Sequence, residues 1–260
     1  MENSLKTQYL NAGNISARIN LHAKYSVNKQ GWFSWIYEQC GLEPGIKVLE
    51  TGCGDGRLWV DNIKNVEKLK NIKITVTDIS EGMVNDARRN IGNGMFDYGV
   101  ADCMNLPFDD NSFDCVIANH VIFYCEEPGK AFKEIKRVLK PGGKAVFSTY
   151  GSHHMQEIAQ LVNQFDKRIV LSADVLYEKF GLDNGERLLK KYFNKIDKRL
   201  YDDYLLVDVA EPIIEYILSC HGNQNHYLLD RYSDFKAFIM KKTRKPLKIT
   251  KEAGVFVCFN

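Results

Sequence analysis

No two of the seven cysteines are spaced as a C-x-x-C pair, and an odd number cannot all be bridged within one chain. That pattern fits reduced thiols better than a disulfide framework or a zinc site. Several of the seven sit in apolar runs, where a thiol behaves as a small buried hydrophobe. No apolar stretch is long enough to span a bilayer. The first ten residues are polar and have no apolar centre of the secretory kind, so a cytoplasmic protein is expected. Internal repeats and low-complexity tracts are absent. So is an excess of one charge: a net +2 says little about partners, and 26% charged residues is an ordinary proportion. With 45% of its 260 residues apolar, the chain can build one large domain or two small ones around a substantial core.

Two further absences bear on residues 47–56, Lys-Val-Leu-Glu-Thr-Gly-Cys-Gly-Asp-Gly. An apolar strand ends there in Glu50, glycines follow at 52, 54 and 56, and a segment of helical character runs from 57 to 70. Glycine admits positive φ and lets a ligand approach main-chain atoms without meeting a Cβ. Turns at the carboxyl end of a strand, opening a helix, are where α/β sheets hold nucleotide-like ligands. A dinucleotide fingerprint requires G-x-G-x-x-G, but Arg57 stands where the third glycine belongs. A Walker loop ends in Gly-Lys-Ser/Thr, and none is present. The turn therefore has glycines without phosphate chemistry, and Glu50 repels a phosphate. A cationic, nucleoside-like ligand fits better, the plain alternative being an ordinary tight strand-to-helix loop.

Residues 3–40 read as mostly helical, with Trp32, Trp35 and Ile36 at helical spacing. Trp35 reads as core; Trp32 serves equally as core or as the aromatic side of a lid that shields a pocket. After a break at 41–45, strand patterns (46–50, 72–77, 96–100, 113–118, 144–149) alternate with helices. Ser80 caps the helix at 81–90, and Pro141-Gly142-Gly143 stops the one at 127–140. This alternation implies a parallel sheet with helices on both faces. Beyond Tyr150 the rhythm changes to helices over 153–165, 173–180, 184–192, 211–219 and 227–242, with strands at 195–201 and 254–259. The expected organisation is a helical lid over 1–40 and a main domain over 41–260 with a helical cap inserted at about 151–193.

Two more acids follow strands. Asp78 lies roughly 20 residues past the glycine turn, where a ribose-binding carboxylate falls in nucleotide-binding α/β units. A carboxylate accepts two hydroxyl hydrogen bonds at once, which suits a cis-diol. Asp102, after the third strand, can accept from an exocyclic amine. Singly each acid reads as a loop residue or helix cap; jointly Glu50, Asp78 and Asp102 close three successive strands on one sheet edge.

With these residues in place, the sequence resembles the class I S-adenosylmethionine-dependent methyltransferases, in the branch of small-molecule enzymes related to ubiquinone and menaquinone methyltransferases. The resemblance rests on Glu50 to Gly56, Asp78, Asp102, the Leu-Pro-Phe-Asp-Asp run at 106–110, Ser-Phe-Asp-Cys-Val-Ile at 112–117 and Val-Leu-Lys-Pro-Gly-Gly at 138–143, and covers about residues 48–150. It implies a Rossmann-like doubly wound sheet of seven strands, order 3-2-1-4-5-7-6, the last antiparallel. It also implies backbone approach of Gly52 and Gly54 to the methionine part of the cofactor, with Glu50 and Cys53 nearby. Asp78 falls on the ribose hydroxyls with Ile79 beside it, Asp102 on the adenine amine with Cys103 beside the ring, and Asn119 near the methionine end. Thr51 is a mild departure, since such families usually have a small or apolar residue there.

The reaction implied is in-line transfer of a methyl group from the cofactor, which becomes S-adenosylhomocysteine, to a small-molecule acceptor. A general base is needed only for a hydroxyl or protonated amine. His120, just past the fourth strand, is the first candidate, with His22 and Tyr25 of the expected lid behind it; a loop histidine bonded to backbone is the ordinary reading. Trp32, Tyr124 and Tyr150 are candidates to line the acceptor pocket. His153 and His154 do not make a metal site, because neighbouring helical residues point about 100° apart and no third ligand is evident. The acid-free basic run at 236–251 reads as a solvated helix end before an anion- or RNA-steering surface. RNA methylation and non-catalytic cofactor binding are the rival functions; the acceptor and the oligomeric state are not readable.

Overall fold

The structure is a computed structural model and describes residues 14–172 and 175–260. Its strands, in chain order, are β1 (Lys47–Thr51), β2 (Lys73–Asp78), β3 (Phe96–Val100), β4 (Phe113–Asn119), β5 (Leu139–Tyr150), β6 (Lys195–Tyr201), β7 (Tyr204–Val207), β8 (Leu247–Thr250) and β9 (Ala253–Phe259). Two compact units emerge. A sheet unit comprises Trp32–Ser152, Leu176–Tyr201 and Ala253–Asn260. A helical unit comprises Asp202–Glu252 with the described parts of Met1–Gly31 and His153–Val175.

The sheet unit holds seven strands in the order β3-β2-β1-β4-β5-β9-β6. Strands β1 to β5 run parallel, and β9 is antiparallel to both neighbours. Counting only the strands of this sheet, β9 is the seventh, which is the order the resemblance implies. The central strands are apolar on both faces because both faces are covered. Leu49, Val116, Ala118, Phe147 and Phe256 join one core with Phe132 and Ile135. Their alternates Val48, Cys115, Ile117, Val146 and Val255 join the other with Ile36, Leu58 and Trp59. The helix Pro128–Val138 shows how sequence selects such a cover: proline opens it, where a missing N–H costs nothing, and Ala131, Phe132, Ile135 and Val138 form its buried stripe.

Several boundaries differ from expectation. Pro141-Gly142-Gly143 does not follow a helix ending at 140; the helix stops at Val138 and β5 begins at Leu139. A register shift against β4 between Phe113 and Cys115 accommodates that irregular start. The expected helix at 227–242 is two, Gln224–Leu228 and Tyr232–Lys242, separated by a short 3-10 turn. Strands β7 and β8 were not expected: Tyr-Leu-Leu-Val lacks alternation, and Leu-Lys-Ile-Thr is a four-residue alternation hidden in the basic run. Trp32, expected within the lid, belongs to the sheet unit through the helix Trp32–Cys40, whose Ile36 and Cys40 are buried.

The helical unit has its own core, in which Leu21, Ile158, Leu161, Ile214, Ile217, Phe235 and Ile239 meet from four helices, and it contains the antiparallel pair β7-β8. Asp203 knits its segments together, accepting from Lys251, from the Ser26 hydroxyl and from the Asn28 amide. Burial alone would raise the Asp203 pKa, but the hydrogen bonds from Lys251 and Ser26 outweigh it, so the carboxyl sits below its ordinary range. The two side chains of this ion pair are 8% and 0% exposed. Removing the cation leaves a buried charge uncompensated, so Lys251→Ala should cost about 3–5 kcal/mol in urea denaturation. A loss below about 1 kcal/mol, the range of exposed pairs, would contradict this role.

Candidate active site

Five adjacent parallel strands point their carboxyl ends to one edge, and polar residues follow or close each. Along β3, β2, β1, β4 and β5 they are Asp102, Asp78, Glu50, Asn119 and Tyr150. The turn after β1 is left-handed at Gly52 (φ 71°) and Gly54 (φ 55°). A Cβ at Gly52 would lie 2.3 Å from Val121 Cγ2, so that glycine admits a close packing contact. A Cβ at Gly54 would meet nothing within 4 Å, so the main chain there faces open space.

Asp78 secures this turn. Its Oδ2 accepts the Gly54 amide at 3.0 Å and its Oδ1 the Ser80 amide at 2.9 Å, while the Cys53 amide donates to Thr77 O at 3.0 Å. Each carboxylate oxygen keeps further acceptor capacity. Asp102 is fixed similarly: its Oδ1 accepts the Met104 amide at 2.8 Å, and its carbonyl accepts from Asn105. The segment beyond is held by Glu134, which accepts from the Leu106 amide, and by Arg137, which donates to the carbonyls of Leu106 and Phe108.

Glu50 is 1% exposed, and Trp59 Nε1 donates to its Oε2 at 2.6 Å. Burial pushes its pKa up to about 8; the Trp59 bond opposes this, and the charges of Asp78 and Asp55 add to it. At neutral pH the side chain is therefore mostly protonated. Beside it, Thr51 Oγ1 is buried without a hydrogen-bond partner among the described residues.

On the β4 side, Ser148 Oγ donates to Asn119 Oδ1 at 2.5 Å and accepts the His120 amide at 2.8 Å. His120 has φ 54°, unusual for a side chain with a Cβ, and such strain clusters at functional sites. Its ring stacks on Trp32 with centroids 5.0 Å apart and planes at 21°, and lies 5.9 Å from Phe123 and 6.3 Å from Tyr150. Trp32 also packs against Trp35 and Tyr201, and its Nε1 is buried without a partner among the described residues.

Ile79 and Tyr124 are 69% and 66% exposed. Cys53 and Cys103 are buried, the Cys53 thiol being pushed up by burial and by Glu50. His22 and Tyr25 belong to the helical unit: the His22 ring is near His154 and Tyr216, and the Tyr25 hydroxyl is buried without a partner among the described residues. Trp59, Val121, Ser148 and Tyr201 were not anticipated. Trp59 acts on a residue nine positions away and the others on residues much further off, and none has a local signature.

The sheet order, the antiparallel strand β9 and the acids on successive strands define the class I methyltransferase fold. Residues 49–147 match the protein family described as "Methyltransferase domain". The ubiquinone/menaquinone biosynthesis C-methyltransferase UbiE of Haemophilus ducreyi is 30% identical over 54% of this chain and 54% of its own length. Cycloartenol-C-24-methyltransferase 1 of Oryza sativa subsp. japonica is 36% identical over 40% of this chain and 30% of its own. The chain thus spans about half or less of these relatives. Among solved structures, the [4+2]-cyclase SpnF superposes with a TM-score of 0.53 over 98% of this chain and 92% of its own, at 20% identity. That likeness concerns the fold alone.

The raised pKa of Glu50 has a sign that can be tested. The folded state keeps a proton that the unfolded chain releases near its ordinary value of 4.5, so the group's contribution to stability is complete below that value and is lost as pH rises to about 8. Urea denaturation from pH 5 to 8 should show wild type losing stability relative to Glu50→Gln, by up to about 1.4 kcal/mol per pH unit. Parallel curves for the two proteins would contradict the assignment.

Proposed function

We propose that the protein is an S-adenosylmethionine-dependent methyltransferase acting on a small-molecule acceptor. The observation that carries this reading is the row of acids on β1, β2 and β3 beside a glycine turn whose main chain faces open space at Gly54. The residues fit the cofactor. Gly52, Cys53 and Gly54 would meet its methionine part through the backbone, with Glu50 and Asn119 nearby. Asp78 would take the ribose hydroxyls, Asp102 the adenine amine, and Ile79 and Cys103 would flank the ring. An exposed Ile79 suits a side chain that waits for an apolar partner. A cation placed near Glu50 would favour its ionised form, so binding would release a proton near neutral pH.

When bound, S-adenosylmethionine supplies a methyl group on a sulfonium, already a good leaving group. The protein has then to align the acceptor and keep water out. His120 would take the proton of a hydroxyl or ammonium acceptor, and Trp32, Tyr150 and Tyr124 would flank it. A basic imidazole set among aromatic rings supports an oxygen or nitrogen acceptor on an apolar body. His22 and Tyr25 remain alternative bases, and a lid over 1–40 with a cap at about 151–193 would supply acceptor selection; residues 1–13, 173 and 174 lie outside the described part of the chain.

RNA methylation has less support. In the basic run Lys236 pairs with Glu211, Lys242 donates to Gln164 and Lys251 is buried against Asp203, which leaves the exposed Lys241, Arg244, Lys245 and Lys248 as the cations that could meet phosphates. A cytoplasmic location fits seven free thiols. No helix among the described residues is long and apolar enough to cross a membrane.

Titration calorimetry with S-adenosylhomocysteine, followed by transfer of labelled methyl to a panel of alcohols, phenols and amines, tests this reading. Binding with transfer supports it. Binding without transfer to any acceptor would favour a non-catalytic cofactor-binding protein, and RNase-sensitive label in a cell extract would favour RNA. Asp78→Ala should weaken cofactor binding by about 1–3 kcal/mol, and unchanged affinity would count against the ribose role. His120→Ala should lower kcat about 100-fold and leave the S-adenosylhomocysteine affinity nearly unchanged. Full turnover in that variant would remove His120 as the base.

A further inference from the structure

Cys103 and Cys125 stand with their Sγ atoms 3.2 Å apart. A disulfide needs about 2.0 Å, so closure asks for little more than 1 Å of movement. Both sulfurs sit on short backbone turns. Cys103 lies in the turn that the Asp102 carboxylate and carbonyl close on Met104 and Asn105. Cys125 ends the 3-10 helix Ile122–Tyr124, its amide donating to Ile122 O at 3.1 Å. The hydrogen bond from Cys103 lowers the Cys125 pKa and raises that of Cys103, whereas burial raises the pKa of each of the other five thiols. The two side chains are 7% and 5% exposed, so only a small reagent can reach them. No group of three or more metal-ligating side chains exists among the described residues, which sets the pair apart from a metal site.

We propose that Cys103 and Cys125 form an oxidation site for hydrogen peroxide, and that the resulting disulfide displaces the Asp102 turn and weakens cofactor binding. The Cys125 thiolate attacks one peroxide oxygen; the O–O bond breaks and hydroxide leaves, taking a proton to become water. The Cys103 sulfur then attacks the sulfenic sulfur, the S–O bond breaks, and a second water leaves with the Cys103 proton. Two thiols lose two electrons, and one peroxide becomes two waters. The consequence for binding rests on the proposed function, because Cys103 is bonded directly to the acid assigned to the adenine amine. Displacing that acid removes a hydrogen bond to a charged acceptor, a loss large enough to weaken binding about tenfold or more.

The test treats the full chain with hydrogen peroxide, blocks remaining thiols with N-ethylmaleimide, maps linked peptides by mass spectrometry, and titrates S-adenosylhomocysteine before oxidation, after it, and after dithiothreitol. The expected result is a 103–125 link, affinity weakened about tenfold or more, and full recovery on reduction. Cys125→Ser should bind like the reduced wild type and be indifferent to peroxide. A peptide map without the 103–125 link overturns the proposal, as does linked protein that binds with its affinity intact. If reduced wild type does not bind S-adenosylhomocysteine, the cofactor reading fails, while the peptide map still decides whether the oxidation site exists.

Discussion

The Asp78 carboxylate ties the site together. By accepting one amide from the turn after β1 and another from the start of its own loop, it fixes the tip of β2 against the glycine turn. The bonds are only possible because β1 and β2 run side by side in the same direction, Thr51 facing Thr77. A carboxylate held from two sides by main-chain donors is oriented before any ligand arrives, and preorganisation of that kind removes part of the cost of binding. The rest of the edge follows from the same parallel pairing: β3 extends it to Asp102, and β4 to Asn119 and His120.

Glu50 sets a second constraint. A carboxyl buried between its strand and Trp59, its pKa pushed up to about 8, is mostly protonated at neutral pH, and a cation beside it would favour the ionised form. The group is thus suited to a positively charged ligand and unsuited to phosphate. The missing third glycine at Arg57 and the absent Walker ending point the same way from sequence alone. His120 complements this on the other flank, where Ser148 holds the backbone of a residue whose left-handed conformation is otherwise unfavourable.

Much of the sheet unit was legible in the sequence, since β1, β2 and β4 are short runs rich in apolar residues and its covering helices have clear apolar stripes. The alternation of strands and helices announces a parallel sheet, and the strand order with its antiparallel seventh strand comes from the resemblance. The remainder was hidden for specific reasons. β7 and β8 are four residues each and owe their pairing to long-range contacts. Trp59, Val121 and Ser148 act on residues 9, 69 and 29 positions away (Glu50, Gly52 and Asn119), and no local pattern marks them. Conversely, His22 and Tyr25 drew notice as titratable groups near aromatic residues, and their surroundings, His154 and Tyr216 for the one and a buried hydroxyl for the other, were beyond reach of the sequence. The basic run drew notice by composition, yet several of its cations are consumed by internal partners.

The central claim is that this edge of the sheet holds an adenosyl sulfonium. The most direct measurement is a crystal structure of the protein grown with S-adenosylmethionine. The account requires the ribose against Asp78, the adenine against Asp102 and the amino-acid end over Gly54. An adenosyl group found elsewhere on the molecule, with Asp78 and Asp102 still bonded only to their own loops, would contradict it.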